Sequence, residues 1–339
     1  AAGKARMIFL NKADLADDQA TLAWMDYFRK KGITPIRLDA RKTNFKKAVV
    51  DGVKIACQEK IERDRRKGIL NRPIRAMVVG IPNVGKSTLL NHILKTKLVI
   101  TSPTAQTTRN TVQGVYTDDE AQIVFVDTPG IHKPQDGLGS FMNTTALNSI
   151  YGVDMVLFIA PANETIGRGD RFIIERLKEA DGPVFLLLNK CDLVSKDEVI
   201  KKLTEWKELF DFKEIIPISA LEDQNVDTLI STIKTYLNEG MMYYPKDQMT
   251  DHPERFVMAE FIREKILYFT REEVPHSVAI VVERMAELED GSVEVIATIV
   301  VDRKSQKGIL IGKQGSMIKK IRQNAQREMK RFLQTTVHL

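Results

Sequence analysis

The segment Gly80-Ile-Pro-Asn-Val-Gly85-Lys86-Ser87 limits what this chain can fold into more than any other. It follows the hydrophobic run Ala76–Gly80, opens a helix read over 86–94, and fits the phosphate-loop pattern G-x-x-x-x-G-K-[ST]. The glycines let the backbone curl so that its N–H groups face phosphate oxygens, and the helix N-terminus adds partial positive charge. Asn83, Val84 and Thr88 complete the expected cradle. Lys86 is expected to reach the β- and γ-phosphates, and the Ser87 hydroxyl to hold Mg²⁺. Alone, the loop points to a nucleoside triphosphate without saying which.

Beyond this loop the chain alternates strand and helix. Strands are read over 121–127, 154–160, 184–189 and 214–218, and helices over 168–180, 196–209 and 226–237. That order predicts an α/β domain with a doubly wound, mostly parallel sheet covered on both faces. Three strand ends carry chemistry. Asp127-Thr-Pro-Gly130 offers a carboxylate for Mg²⁺ and a glycine N–H that senses a γ-phosphate. Asn189-Lys190-Cys-Asp192 offers a carboxylate that accepts from N1–H and the 2-amino group of guanine, a donor pair adenine lacks. Asn189 and Lys190 brace that loop. Ser219-Ala220-Leu221 places the Ala220 N–H near the guanine oxygen. Between the phosphate loop and Asp127, Gln106-Thr-Thr108-Arg-Asn110 reads as a switch segment. Thr108, rather than Thr107, is expected to close over Mg²⁺. The predicted ligands are GTP or GDP with Mg²⁺, and the predicted activity is GTP hydrolysis.

Charge is distributed unevenly. From Ala1 to Ala76 there are 19 Lys+Arg against 9 Asp+Glu; from Met77 to Val301, 22 against 34; from Asp302 to Leu339, 10 against 2. Two basic ends flank an acidic centre, which suggests a polyanionic partner. Cys57 and Cys191 are far apart and have no metal-like spacing, so a reducing compartment fits. Ala1–Arg6 does not read as a signal peptide, and no apolar run approaches the roughly 20 residues of a membrane span. The expected location is cytoplasmic.

After the polar stretch Tyr243–Glu254 the pattern changes. A helix over 255–269 precedes alternating strands over 277–285 and 293–301. Then come Ile311-Gly312-Lys313-Gln314-Gly315 and a basic helix with Lys319 and Lys320. This predicts an α+β domain with a GxxG loop, where glycines admit a nucleic-acid backbone and basic residues attract it. Lys307, Gly312, Lys313, Gln314, Gly315, Lys319 and Lys320 are the expected RNA contacts. Thr335–Leu339 reads as the opening of a last strand.

These motifs resemble the TRAFAC translation-factor-like GTPases. More narrowly, Q-T-T-R-N, D-T-P-G-I-H-K-P, G-R-G-D, T-D-H-P-E-R-F and S-Q-K-G-I-L-I-G-K-Q-G resemble the Era family, bacterial GTPases of small-subunit assembly. The resemblance covers Leu98 to Leu339. It implies a P-loop GTPase domain with a C-terminal KH-like domain, and rRNA and the ribosomal subunit as partners, 30S ahead of 50S. It also implies a peripheral membrane contact, without a transmembrane segment. Its KH domains run on past this chain's last residues, which implies truncation here. Ile131, after D-T-P-G, cannot orient a water as a glutamine would, so slow intrinsic hydrolysis is expected. Asn83 resembles the asparagine of potassium-activated relatives, which implies K⁺ in place of an arginine finger. Lys86, Thr108, Gly130 and Asn83 are therefore the expected catalytic set.

A second base-reading motif, Asn11-Lys12-Ala-Asp14, ends a strand read over 6–11. Helix 17–31, strand 33–38 and helix 45–67 come after it. That order, with G-I-P-N-V-G-K-S-T, resembles the circularly permuted ribosome biogenesis GTPase A (YlqF) family of large-subunit factors. The expected organisation is an extra βαβα half (1–72), a GTPase domain (73–240), a linker (241–254) and a truncated KH-like domain (255–339). Asp192 is preferred as the base reader, because the first copy lacks the strand that neighbours the phosphate-loop strand. A chimera of the two families, a divergent duplicated segment, and capture of the site by Asn11–Asp14 all stay open. So do a nucleotide-stabilised RNA-binding module and an engineered chimera with little turnover.

Overall fold

The computed structural model describes residues 6–10, 17–31, 33–37, 74–102, 104, 107–131, 142–144, 146, 153–237, 242–270 and 277–339. The Asn11–Asp14 motif, the helix read over 45–67 and Gln106 lie outside them. The chain divides into two compact units, Ala1–Arg72 with Glu239–Met241, and Pro73–Asn238 with Met242–Leu339.

In the first unit, strands β1 (Arg6–Leu10) and β2 (Ile33–Arg37) pair in parallel, joined through helix α1 (Asp18–Lys30). Asp17 caps α1, its Oδ1 accepting the Ala20 N–H at 2.8 Å, which satisfies one of the first-turn donors.

The second unit is built on six strands: β3 (Ile74–Val79), β4 (Val112–Thr117), β5 (Gln122–Asp127), β6 (Met155–Pro161), β7 (Val184–Asn189) and β8 (Glu214–Pro217). Their order is β4-β5-β3-β6-β7-β8, all parallel except β4 against β5. Helices α2 (Lys86–Ile93), α3 (Arg168–Leu177), α4 (Lys196–Lys207) and α5 (Val226–Lys234) cover the sheet. Strands β5, β6 and β7 are buried at every position. Hence they read as unbroken apolar runs rather than alternating ones. Met77, Phe158, Leu186 and Trp206 build the core on one face, and Val78, Leu89, Leu157 and Phe185 on the other.

The second of these cores continues into the C-terminal elements through Val257, Phe261 and Met329. Those elements are α6 (Glu254–Phe269), β9 (Val278–Glu287), β10 (Val293–Val301), α7 (Lys304–Ile311), α8 (Ser316–Leu333) and β11 (Val337–His338). β9 and β10 are antiparallel, and β11 joins β10 in parallel. Two elements depart from the pattern read in the sequence. β4 is an added strand, with Gly114 where a Cβ would lie 2.6 Å from Leu94 Cδ1. α7 occupies what reads as the approach to a glycine loop.

Candidate functional site

The phosphate loop begins where β3 ends. Asn83 (φ 62°) and Gly85 (φ 99°) hold left-handed conformations, which turn the chain sharply into α2. No side chain caps the start of α2, so its leading N–H groups are left to a ligand. Lys86 is buried, and its Nζ donates to the Gly80 and Ile81 carbonyls at 3.2 and 2.9 Å. Burial lowers its pKa to about 8, against the pull of Asp127.

Beside it stand three oxygens. Ser87 Oγ donates to Asp127 Oδ2 at 3.0 Å and lies 3.2 Å from Thr108 Oγ1, which donates to the same Oδ2 at 3.5 Å. Asp127 is fully buried and its Oδ1 makes no hydrogen bond. Burial raises its pKa to about 6, opposed chiefly by Lys86. Hydroxyl and carboxylate oxygens gathered this closely, one of them buried without a partner, fit a small hard cation such as Mg²⁺. Thr107 turns its hydroxyl elsewhere, to the Thr104 carbonyl at 2.6 Å and Ser102 at 2.7 Å. Gly130 lies flat against the loop, where a Cβ would come within 2.8 Å of Pro82 Cα. Ile131 is buried, and its N–H donates to the Gly80 carbonyl at 3.2 Å. Lys86, Ser87, Thr108 and Gly130 line a cavity of about 360 Å³, with Asn83 and Thr88 also in its wall.

The residues expected to read the base sit at the ends of β7 and β8 in the same sheet. Asn189 is buried; its Nδ2 donates to the Val84 carbonyl at 2.7 Å and its Oδ1 accepts the Ala220 N–H at 2.8 Å. One side chain thus joins the phosphate loop to both base loops. Lys190 (φ 63°) turns the chain into a 3₁₀ turn, Cys191–Leu193, that leaves Asp192 exposed. Lys190 Nζ lies 3.5 Å from Glu164 Oε1. Ser219 is buried, Leu221 is exposed, and Ser219 Oγ accepts the Glu222 N–H at 3.1 Å. The Ala220 N–H differs from its expected role: it is engaged by Asn189, so a base oxygen would have to share or replace that bond.

At the other site, α7 ends at Gly312 (φ 72°), and Gln314 (φ 48°) and Gly315 (φ 75°) lead into α8. A Cβ on Gly312 would come within 2.7 Å of Met317 Cβ. Lys307, Lys313, Gln314, Lys319 and Lys320 are exposed. Lys320 Nζ lies 4.2 Å from the centroid of Phe269. From α6, Arg263 reaches the Thr107 carbonyl of the switch segment, Glu264 accepts the Thr101 N–H before it, and Glu260 holds Arg263; nothing in the sequence singles these three out. Charged residues on a helix ordinarily face water, so no local pattern marks them.

Residues 75–190 match the family described as 50S ribosome-binding GTPase, and residues 273–339 match the KH domain. Among solved structures, a point variant of Aquifex aeolicus Era bound to GDP·AlF4⁻ is 40% identical, with a TM-score of 0.75, over 79% of this chain and 92% of that one. Era in complex with MgGDPNP and nucleotides 1506–1542 of 16S ribosomal RNA is 39% identical, with a TM-score of 0.74 and the same coverage. With this identity over nearly the whole relative, and the phosphate loop, base loops and GxxG loop all in place, the chain belongs to the Era family of P-loop GTPases.

Proposed function

We propose that this chain is a ribosome assembly factor of the cytoplasm that binds and hydrolyses GTP between Gly80 and Leu221 and uses that cycle to control binding of small-subunit rRNA. The observation that carries the reading is the pair of hydrogen bonds by which Asn189 joins the Val84 carbonyl and the Ala220 N–H. It makes one continuous site of phosphate loop and base loops. The relatives in complex with GDP·AlF4⁻ and with MgGDPNP and 16S rRNA support the choice of nucleotide, metal and RNA.

In this reading Asp192 accepts from the guanine edge while Asn189 and Lys190 hold its loop. The loop N–H groups and Lys86 bind the phosphates. Ser87, Thr108 and Asp127 would hold Mg²⁺, which would supply positive charge to offset the charge that develops on the phosphates. Gly130 offers its N–H to the γ-phosphate, and Thr108 closes the switch segment; loss of that phosphate releases both. Asn83 holds K⁺. The exposed lysines around Gly312–Gly315 engage a single-stranded RNA backbone.

Residues 1–72 are the base-binding half of a permuted GTPase fused to an Era-type chain. Their β1-α1-β2 unit forms a parallel sheet of its own, which supports a separate origin. That origin makes a large-subunit role the alternative. Among the described residues no helix is long and apolar enough to cross a membrane. Hydrolysis measured with Mg²⁺ in K⁺ and then in Na⁺, together with cosedimentation on separated ribosomal subunits, tests the proposal. Faster turnover in K⁺ and association with 30S are expected. Equal rates would remove K⁺ from the account, and association with 50S alone would favour the large-subunit reading.

A further inference from the structure

Three hydrogen bonds tie the stretch from Thr101 to Arg109 to the C-terminal elements. The Thr101 N–H donates to Glu264 Oε1 at 3.1 Å, Arg263 Nη2 to the Thr107 carbonyl at 2.6 Å, and Arg109 Nη1 to the Val278 carbonyl at 2.7 Å. Glu264 and Arg263 belong to α6, and Val278 opens β9. Lys97 adds an ion pair to Glu264 at 2.7 Å and another to Glu328 of α8 at 3.4 Å. The stretch is therefore hung on α6 and β9, elements of the same C-terminal set whose α7–α8 junction carries the GxxG loop.

Arg263 is the central anchor. It is 3% exposed. Glu260 takes its guanidinium as a fork, Nε to Oε1 at 2.8 Å and Nη2 to Oε2 at 2.5 Å. Such a pair fixes the plane of the guanidinium as well as its position. A buried ion pair is weak evidence for stability, since an apolar residue of similar volume often does as well. What the fork does hold is the Thr107 carbonyl. That carbonyl and the Thr108 N–H lie in one rigid peptide plane, so fixing one orients the other. In this arrangement Thr108 Oγ1 stands 3.2 Å from Ser87 Oγ and 3.5 Å from Asp127 Oδ2.

We propose that Arg263, clamped by Glu260, is a positioning residue for GTP hydrolysis. From the helix that leads into the KH elements, it sets the peptide that brings Thr108 to the Ser87–Asp127 corner. Closure of the switch segment on Mg²⁺ and the γ-phosphate then depends on where α6 stands. This inference rests on the reading of Thr108 as a metal-side residue.

The test compares the full chain with Arg263→Ala, Arg263→Lys and Glu260→Gln. Affinities for GDP and for GTPγS are measured while Mg²⁺ is titrated, alongside single-turnover hydrolysis and thermal unfolding. In Arg263→Ala, affinity for GTPγS with Mg²⁺ should fall about tenfold while GDP affinity without Mg²⁺ holds. Half-saturation by Mg²⁺ should move up in step, and the hydrolysis rate should drop about ten- to hundredfold. Arg263→Lys keeps a charge but loses the fork, and should fall between parent and alanine. Should Arg263→Ala not fold, Arg263→Lys and Glu260→Gln decide, each with raised Mg²⁺ half-saturation expected. A lowered unfolding temperature with unchanged Mg²⁺ half-saturation and unchanged GTPγS-to-GDP ratio would overturn the proposal, leaving Arg263 a packing residue. A parent protein whose GTPγS binding ignores Mg²⁺ would overturn the reading of Thr108 itself, and this inference with it.

Discussion

Asn189 spends both ends of its amide inside the protein, on Val84 and on Ala220. Gly85 leaves it room, for a Cβ there would run into Asn189 Nδ2. Replacing Asn189 by alanine leaves a buried carbonyl and a buried N–H without partners, at about 1–3 kcal/mol each. Nucleotide affinity should fall on the order of a hundredfold, with a lower unfolding temperature, as titration with a fluorescent GDP and a thermal melt would show. Unchanged affinity would mean that the two loops are held together by other contacts. Residues of this kind are legible in the sequence because phosphate and base chemistry dictate their type and order. Arg263 and Glu264 are not, because their role depends on a distant segment folding onto them.

At the scale of elements, the buried strands are the most readable part. β5, β6 and β7 carry apolar residues on both faces, and their lengths separate them from the helices between. β4 is hidden by Gly114 and by its place at the sheet edge, where one side makes no ladder. α7 is hidden because it is short and carries Gly308 just ahead of the glycine loop, although only Gly312 of the two is in the left-handed region. The hairpin of β4 and β5 is tied to α5 by Lys234, which pairs with Asp118 at 2.7 Å and with Glu120 at 2.8 Å. Burial alone would raise the Asp118 pKa, but hydrogen bonds from Lys234, Tyr116 and the backbone outweigh it and bring the value down to about 2. A carboxyl depressed on folding stabilises the native state above its unfolded pKa of about 3.9. That contribution drains away as pH falls toward the folded value of about 2. Lys234→Met should therefore lower the unfolding midpoint at pH 7 and lose its effect as pH drops through this window. A deficit that persists undiminished at the acid end would point to lost packing instead.

At the scale of the whole molecule, the chain carries two base-reading motifs and one phosphate loop. Both motifs end a strand in a βαβ pattern, and the order of elements favours Asp192 over Asp14, because the first copy lacks the strand that neighbours the phosphate-loop strand. Sheet membership bears on the choice. The loop of Asp192 leaves β7, two strands from the phosphate-loop strand β3 in one sheet, whereas β1 pairs with β2 in a sheet of their own. The central claim is that the Era-type half, not the N-terminal unit, forms the working site. It is tested by measuring GTP and xanthosine triphosphate affinity for the parent, Asp14→Asn and Asp192→Asn. An asparagine at the reader position turns the two-donor edge of guanine into a mismatch and favours xanthine. The account predicts that Asp192→Asn alone exchanges GTP for xanthosine triphosphate, with Asp14→Asn matching the parent. Exchange in Asp14→Asn with Asp192→Asn unaffected would contradict it and assign the phosphate loop to the permuted half.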